Sequence, residues 1–533
     1  MTSLTKNRGV GGAGADSGCH SLGIYIQVPF CQTKCTYCNF HTGVASPSAY
    51  APYARAVEHE ITNWRSLHAA AGLSSAALFD SVEQPITGVV EPEKAVPITP
   101  LFGPQKVGEA SAFAEVTEQP SIGVVERQKG LVIRPLLPPE NVTIYFGGGT
   151  PSLFDPAALA RILAAVRSQF APASDCHPFP TFSHRPAVAG VIPNPAALCA
   201  DVGEESAFSA SVVQPTSEIV ERQKRVPNHA AFGDKEVTLE ADPETITPER
   251  AAAWLATGIN RISLGTQSFH DAELKAAGRM HRRADIFSGI AFLRSAGFTN
   301  ISLDLIAGLP YQTPASWRES LDETLALRPQ HISIYLFEID EASRLGRELL
   351  AGGARYSAAA VPSDDAMADS YEFACERLRQ AGYDHYEISN WALPGFRSRH
   401  NLKYWRREPY LGFGAGAHSF DGRFRWANAH DPAAYVAAIE NGRLPVEQLE
   451  EVTPKQALDE ELFLGLRQLD GIDLAPIAAQ YGARQQAQYN ALGKRIDELR
   501  AQGLVECEGT RVRLAPARLA VSNEVFVALL DER

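Results

Sequence analysis

Short strand-like runs at residues 24–28, 142–146, 237–241, 261–265, 301–306 and 331–336 alternate along this chain with helix-like segments, among them 156–170, 248–256, 284–296 and 316–326. Strands that alternate with helices join through right-handed βαβ units into a parallel sheet. Each run has two faces, because successive strand residues point to opposite sides. One face is aliphatic or aromatic (Ile24/Ile26/Val28, Val142/Ile144/Phe146, Val237/Leu239, Ile262/Leu264, Leu303/Leu305, Ile332/Ile334). The other is polar or small (Tyr25/Gln27, Thr143/Tyr145, Thr238/Glu240, Ser263/Gly265, Ser302/Asp304, Ser333/Tyr335). A closed eight-stranded barrel fills its interior with branched apolar side chains. Here the apolar faces must pack on the helices, so the polar faces line a hollow. The predicted fold is α/β: an open, partial barrel of six βα units, with ligand-binding residues at the C-terminal strand ends.

The first run feeds Pro29-Phe30-Cys31-Gln32-Thr33-Lys34-Cys35-Thr36-Tyr37-Cys38-Asn39-Phe40. Three thiolates at spacings of four and three can grip one compact inorganic object. A 4Fe–4S cluster held by three protein ligands keeps one iron open, where S-adenosylmethionine can chelate through its amino and carboxylate groups. Zinc is the rival, since His41 follows Cys38 by three and would complete a tetrahedral Cys3His site.

Other strand ends carry candidates too. The second run enters Gly147-Gly148-Gly149-Thr150-Pro151, where only backbone approaches a partner closely. No Gly-Lys-Ser/Thr follows, so it is not a P-loop. Glu240 lies on a polar face, where a carboxylate can accept hydrogen bonds from both hydroxyls of a ribose or simply form a salt bridge. Gln267, Arg279 and Asp304 converge on the same rim.

Residues 1–22 read as a disordered, Gly/Ser-rich tail and not a signal peptide. Three related segments at 81–91, 115–129 and 211–224 are unevenly spaced and rich in Pro and polar residues, unlike a solenoid. They mark two poorly ordered insertions, about 76–138 and about 172–234. A formal charge of −13 argues against nucleic acid as the main partner. No stretch of twenty apolar residues offers a membrane span. The eight cysteines, three clustered and five scattered, fit a reducing cytosol and not a disulfide framework.

The cysteine loop with Tyr37, Gly147–Pro151, Leu239-Glu240-Ala241-Asp242-Pro243, Gln267-Ser268-Phe269 and Asp304-Leu305-Ile306-Ala307-Gly308-Leu309-Pro310 together resemble the radical-SAM superfamily. Within it they are similar to the branch holding oxygen-independent coproporphyrinogen III oxidase and the haem chaperone HemW. The resemblance covers about 22–75, 139–171 and 235–533. It implies a radical-SAM partial barrel over 23–340, with Cys31, Cys35 and Cys38 holding the 4Fe–4S cluster. It implies that Tyr25, Tyr37, Gly148, Thr150, Glu240, Gln267, Arg279 and Asp304 bind S-adenosylmethionine. Two positions depart from the family or from one branch. Gln27 stands where the family usually has His, and Phe40 stands where the oxidase has a fourth cysteine that HemW-type proteins also lack.

Beyond the barrel, an extension over 341–452 carries Arg399-His400-Asn401-Leu402-Lys403-Tyr404-Trp405, resembling the His-Asn-x-x-Tyr-Trp motif of the HemW branch. An imidazole beside large rings suits a haem, so His400, Asn401, Tyr404 and Trp405 are haem candidates; the alternative is a satisfied histidine in an aromatic cluster. The Gly-rich run 412–419 is a further haem-contact candidate. Residues 453–533 read as a small winged-helix-like module, expected to form a lid or docking surface over the barrel mouth. The expected function is a cytoplasmic haem chaperone passing haem to an acceptor protein, with peripheral contact where that acceptor is membrane-bound. The rival enzyme is a coproporphyrinogen III dehydrogenase, and the rival binding protein a winged-helix DNA-binding regulator.

Overall fold

The computed structural model describes residues 21–40, 42–70, 141–170, 235–481 and 486–530. Residues 1–20, His41 and both expected insertions lie outside the described residues. The first strand starts at Ser21, inside the stretch expected as tail, and Leu22 is fully buried.

All six expected strands form: β1 (Ser21–Val28), β2 (Asn141–Gly148), β3 (Val237–Ala241), β4 (Arg261–Gln267), β5 (Ile301–Ala307) and β6 (His331–Leu336). They lie side by side in chain order, each parallel to the next. The register brings the polar faces together: Tyr25 sits opposite Tyr145, Glu240 opposite Ser263, and Asp304 opposite Ser333. Their aliphatic faces are buried, with Ile24, Ile26, Ile144, Leu239, Ile262, Leu264, Leu303 and Ile332 all at 0% exposure. Each such side chain contributes roughly 1.5–3 kcal/mol.

Helices α1 (Tyr50–Thr62), α2 (Pro156–Phe170), α3 (Pro248–Thr257), α4 (Arg283–Ala296) and α5 (Pro314–Leu327) supply the outer wall. Their ends are written locally. Thr247 and Thr313 accept hydrogen bonds from the N–H groups of Arg250 and Ser316, each followed by a proline at the first helical position. Trp254 of α3 and Trp317 of α5 are fully buried in the wall.

The sheet does not stop at six strands. After α6 (Asp364–Gln380), the hairpin of β7 (Asp384–Glu387) and β8 (Asn390–Ala392) adds antiparallel to β6. Then α7 (Arg399–Trp405) leads to β9 (Tyr410–Phe413), which pairs parallel to the free edge of β1, with Gly412 opposite Tyr25. Strands β10 (His418–Phe420), β11 (Phe424–Asn428) and β12 (Val446–Glu451) continue antiparallel beyond it. Among the described residues this makes one sheet of twelve strands.

Helix α7 closes the barrel at the N-terminal strand ends. The carboxylate of Glu236, just ahead of β3, accepts from the backbone N–H groups of Arg399 and His400 at 3.1 and 3.0 Å. Lys403 donates to the carbonyl of Asn141 at 3.2 Å and to the Ser21 hydroxyl. The barrel therefore has a floor made by α7 and a mouth at the opposite end, where the cysteine loop leaves β1.

Helix Pro454–Gly465 opens the C-terminal module, followed by strand Ile472–Asp473, helices Leu474–Tyr481 and Gln486–Ala501, and a hairpin of Val505–Glu508 with Arg511–Leu514. A three-stranded sheet joins them, in the element order of a winged helix. Among the described residues it bonds to the extension: Arg467 to Glu387 and over the Trp405 ring, Glu460 to Arg407 and Arg425, Leu469 N–H to the Tyr386 carbonyl.

Candidate cluster and cofactor site

The cysteine loop is braced from two sides. Thr36 donates from its N–H to the Ala277 carbonyl at 3.0 Å and from its hydroxyl to Ala276 at 3.2 Å. Gly278 holds φ +78°, and a Cβ there would come 3.3 Å from Thr36 N, so glycine suits both the turn and the close approach. From the other side, Leu345 N–H reaches the Thr36 carbonyl, Arg344 the Lys34 carbonyl, and Asn39 the Asp340 carboxylate. Tyr37 is wedged against Phe337, ring centroids 6.2 Å apart.

Cys31, Cys35 and Cys38 are free thiols, each half-buried. Burial pushes Cys31 up to about 11 and raises Cys38 as well. Such thiols ionise readily only beside strong positive charge, which a metal supplies. Part of that charge is already present: Arg279 Nη1 lies 3.7 Å from Cys35 Sγ. Among the described residues no three His, Cys, Asp or Glu side chains converge on a single metal ion; thiolates of a 4Fe–4S cluster each bind a different iron and need no such convergence. The zinc alternative needs His41, outside the described residues.

The glycine run has a packing reason. Gly149 and Thr150 donate their N–H groups to the carbonyls of Val28 and Phe30, both at 2.7 Å. A Cβ on Gly149 would sit 2.4 Å from the Phe30 carbonyl oxygen. The glycines press β2 against the root of the cysteine loop, leaving Thr150 Oγ1 to donate to Asp242 at 3.1 Å.

Glu240 receives a hydrogen bond on each oxygen, from Tyr145 OH at 2.8 Å and from Gly148 N–H at 3.1 Å. Burial, with the charge of Asp304 nearby, pushes it up to about 7 despite these donors. Asp304 accepts from Ser263 at 2.9 Å and from Ser302 at 3.2 Å, and burial raises it too. Arg279 joins Asp242 in an ion pair and donates to the Gly265 carbonyl at 2.9 Å. The Gln267 amide lies in this group: a Cβ on Gly265 would meet Arg279, Asp242 and Gln267 within 3.2 Å. Gln267 itself holds φ +63°, which turns the chain at the end of β4.

The structure thus gathers Cys31, Cys35, Cys38, Tyr37, Arg279 and Gln267 on one side of the mouth. Tyr25, Gly148, Thr150, Glu240 and Asp304 lie beneath and beside them on the strands. Two members were not singled out from the sequence. Asp242 stands inside the quoted Leu-Glu-Ala-Asp-Pro run, and its parity with Glu240 was the available signal. Tyr145 alternates with Thr143 on the polar face of β2, but nothing local marks it as the partner of Glu240.

The haem candidates lie apart from this group. His400, Asn401, Tyr404 and Trp405 sit on α7 at the floor, at the opposite end from the cysteines. His400 is 1% exposed; its Nδ1 lies 2.9 Å from Thr143 Oγ1 and its Nε2 3.0 Å from Tyr404 OH. Burial holds it at about 3, a neutral imidazole with a hydroxyl at each nitrogen. Trp405 is 6% exposed beneath Arg467, and Asn401 donates its N–H to the Ser398 cap. The Gly-rich run is equally committed: Gly412 lies in β9 with room for no Cβ, and Gly414 N–H donates to buried Glu60 at 3.0 Å.

This barrel, with three thiols at its mouth and a polar interior, is that of a radical-SAM protein. The radical SAM superfamily model matches residues 137–324, and the HemN C-terminal domain model matches 452–517. The haem chaperone HemW of Bacillus subtilis is 35% identical over 297 residues, 56% of this chain and 76% of that protein. HemW of Lactococcus lactis is 29% identical over 391 residues, 73% of this chain and 85% of that protein. The chain belongs to the HemW family. In fold it is similar to the solved coproporphyrinogen III oxidase HemN of Escherichia coli, at a TM-score of 0.62 and 18% identity, covering 96% of this chain and 90% of that one. A radical-SAM protein carries a 4Fe–4S cluster and S-adenosylmethionine, and the thiol set beside a buried arginine, above carboxylates walled by hydroxyls, fits both.

Proposed function

We propose that this chain is a cytoplasmic haem chaperone. It binds haem, carries a cluster on Cys31, Cys35 and Cys38 with exchangeable S-adenosylmethionine, and passes haem to an acceptor protein. The observation that carries the reading is the match to HemW relatives over three-quarters or more of their length. Phe40 supports it, standing where the oxidase branch has a further cysteine. In this reading Glu240 accepts the ribose hydroxyls, while Tyr25, Tyr37, Gly148, Thr150, Gln267 and Asp304 line the pocket. Arg279 serves the cluster side through its position beside Cys35. The barrel spans 23–340, the extension 341–452 and the module 453–533.

With α7 committed to the floor, the surface that suits a flat apolar macrocycle is the mouth. There Phe40, Met280, Tyr311 and Ile339 stand 53%, 56%, 57% and 40% exposed on loops at the C-terminal strand ends. No helix among the described residues is long and apolar enough to cross a membrane, so a membrane-bound acceptor would be met at the surface.

The test is a parallel anaerobic incubation of the reconstituted protein with haem, with coproporphyrinogen and with S-adenosylmethionine. The expected result is a Soret band on haem addition and unconverted coproporphyrinogen. Phe40→Asp weakens haem binding by about tenfold or more, as loss of one buried aromatic face would. Protoporphyrinogen in the products would overturn the reading in favour of the dehydrogenase.

A further inference from the structure

Helix α7 touches the cofactor side of the barrel through a column of rings. The His400 ring stacks on Tyr145 with centroids 5.1 Å apart, and Tyr145 stacks on Tyr25 at 6.0 Å. Below, His400 is fixed by Thr143 and by Tyr404, at 2.9 and 3.0 Å from its two nitrogens. Above, the Tyr145 hydroxyl donates to Glu240 at 2.8 Å, and the Gly148 N–H holds the other carboxylate oxygen at 3.1 Å. Both donors come from β2, the strand that α7 presses on.

We propose that His400 and Tyr145 are positioning residues, through which the floor helix sets the orientation of Glu240 toward the two hydroxyls of a bound nucleoside. This rests on Glu240 being the ribose acceptor of the S-adenosylmethionine pocket. A carboxylate oxygen has two lone pairs. With one on each oxygen occupied by a fixed donor, the remaining pair of sites is held in one orientation, matched to a cis-diol. A Glu240 freed of Tyr145 turns about its terminal torsion, which is broad for a carboxylate. The histidine motif at the floor thereby reaches the S-adenosylmethionine pocket through Tyr145.

The experiment measures binding of S-adenosylmethionine and of its 2′-deoxy analogue to cluster-loaded protein by equilibrium dialysis, with iron content and haem Soret band recorded alongside. Tyr145→Phe keeps the ring column and removes only the hydroxyl. Its expected effect is about tenfold weaker S-adenosylmethionine binding, unchanged iron content, and loss of the wild-type preference for the 2′-hydroxyl ligand. His400→Phe keeps a flat ring but releases Thr143 and Tyr404; it is expected to weaken S-adenosylmethionine binding several-fold with unchanged iron content. Loss of the 2′-hydroxyl preference is a readout that mere loosening of the core does not produce. Glu240→Ala separates the two levels. If Glu240→Ala leaves affinity unchanged, the ribose-acceptor reading is wrong. If Glu240→Ala weakens binding while Tyr145→Phe retains full 2′-hydroxyl discrimination, the positioning inference alone is overturned. A His400→Phe protein that binds S-adenosylmethionine normally also overturns it.

Discussion

Arg279 shows how one residue serves two neighbours. Its side chain is 9% exposed, paired with Asp242 at 23%, and its other nitrogen faces Cys35. Removing one partner of a buried pair leaves a charge that water cannot reach. Arg279→Gln is therefore expected to destabilise the protein by about 3 kcal/mol, at the lower end of the usual range because Asp242 is partly exposed. Adding Asp242→Asn should restore part of that loss, since the orphaned charge is then gone. Urea unfolding midpoints of the single and double variants check it; equal, additive losses would show that the pair is not coupled. The sequence pointed to Arg279 and Glu240 but not to Asp242. Spacing reports that Glu240 and Asp242 share a face, and not which carboxylate meets the arginine that arrives from the next βα loop.

Glu60 does for elements what Arg279 does for residues. It lies on α1, 4% exposed, and accepts from Gly414 N–H at 3.0 Å, Tyr435 OH at 2.6 Å and Asn428 Nδ2 at 2.8 Å. It thus fastens the first barrel helix to the strands beyond β9, helped by Tyr53, which bonds both Gln27 and Ala415. Burial pushes Glu60 up to about 7 from the ordinary 4.5. The folded chain therefore keeps a proton that the unfolded chain releases between those values. Stability from this group is full below about 4.5 and is lost as pH rises through about 7, by at most roughly 3 kcal/mol. Glu60→Gln, which cannot ionise, should cost about 1 kcal/mol at acid pH and remove the fall between about pH 4.5 and about pH 7. Unfolding midpoints across that range are the measurement, and a variant that keeps the wild-type slope would assign it elsewhere. The six barrel strands were legible because each writes its two faces in alternating residues. Strand β9 was not, because Tyr410–Phe413 is buried on both faces and its Gly412 opens a run that reads as a Gly-rich loop. The place of helix α7 in the fold is hidden from the sequence for a longer-range reason. Its partners Glu236 and Thr143 lie 164 and 257 residues from His400, and no local pattern announces a floor.

At the scale of the whole molecule, the two ends of the barrel have different freedoms. The described chain breaks off after Ala70 and Phe170, at helix ends, and resumes at or just before β2 and β3. Helix-to-strand connections in a parallel barrel reach the N-terminal strand ends, the floor side, away from the cysteine loop. Replacing 76–138 and 172–234 with short Gly/Ser linkers is therefore expected to leave iron content and S-adenosylmethionine affinity unchanged. Loss of the cluster from a folded deletion protein would place those segments at the mouth. The pairing of β1 with β9 has a consequence in time as well as in space. On the ribosome the cysteine loop emerges early, on a strand whose outer edge stays open until residues 410–413 follow. An unpaired strand edge is a template for wrong partners, and domains are completed only as synthesis delivers their last element. The edge of β1 therefore stays uncovered, beside three reduced thiols, until the far end of the chain has been made.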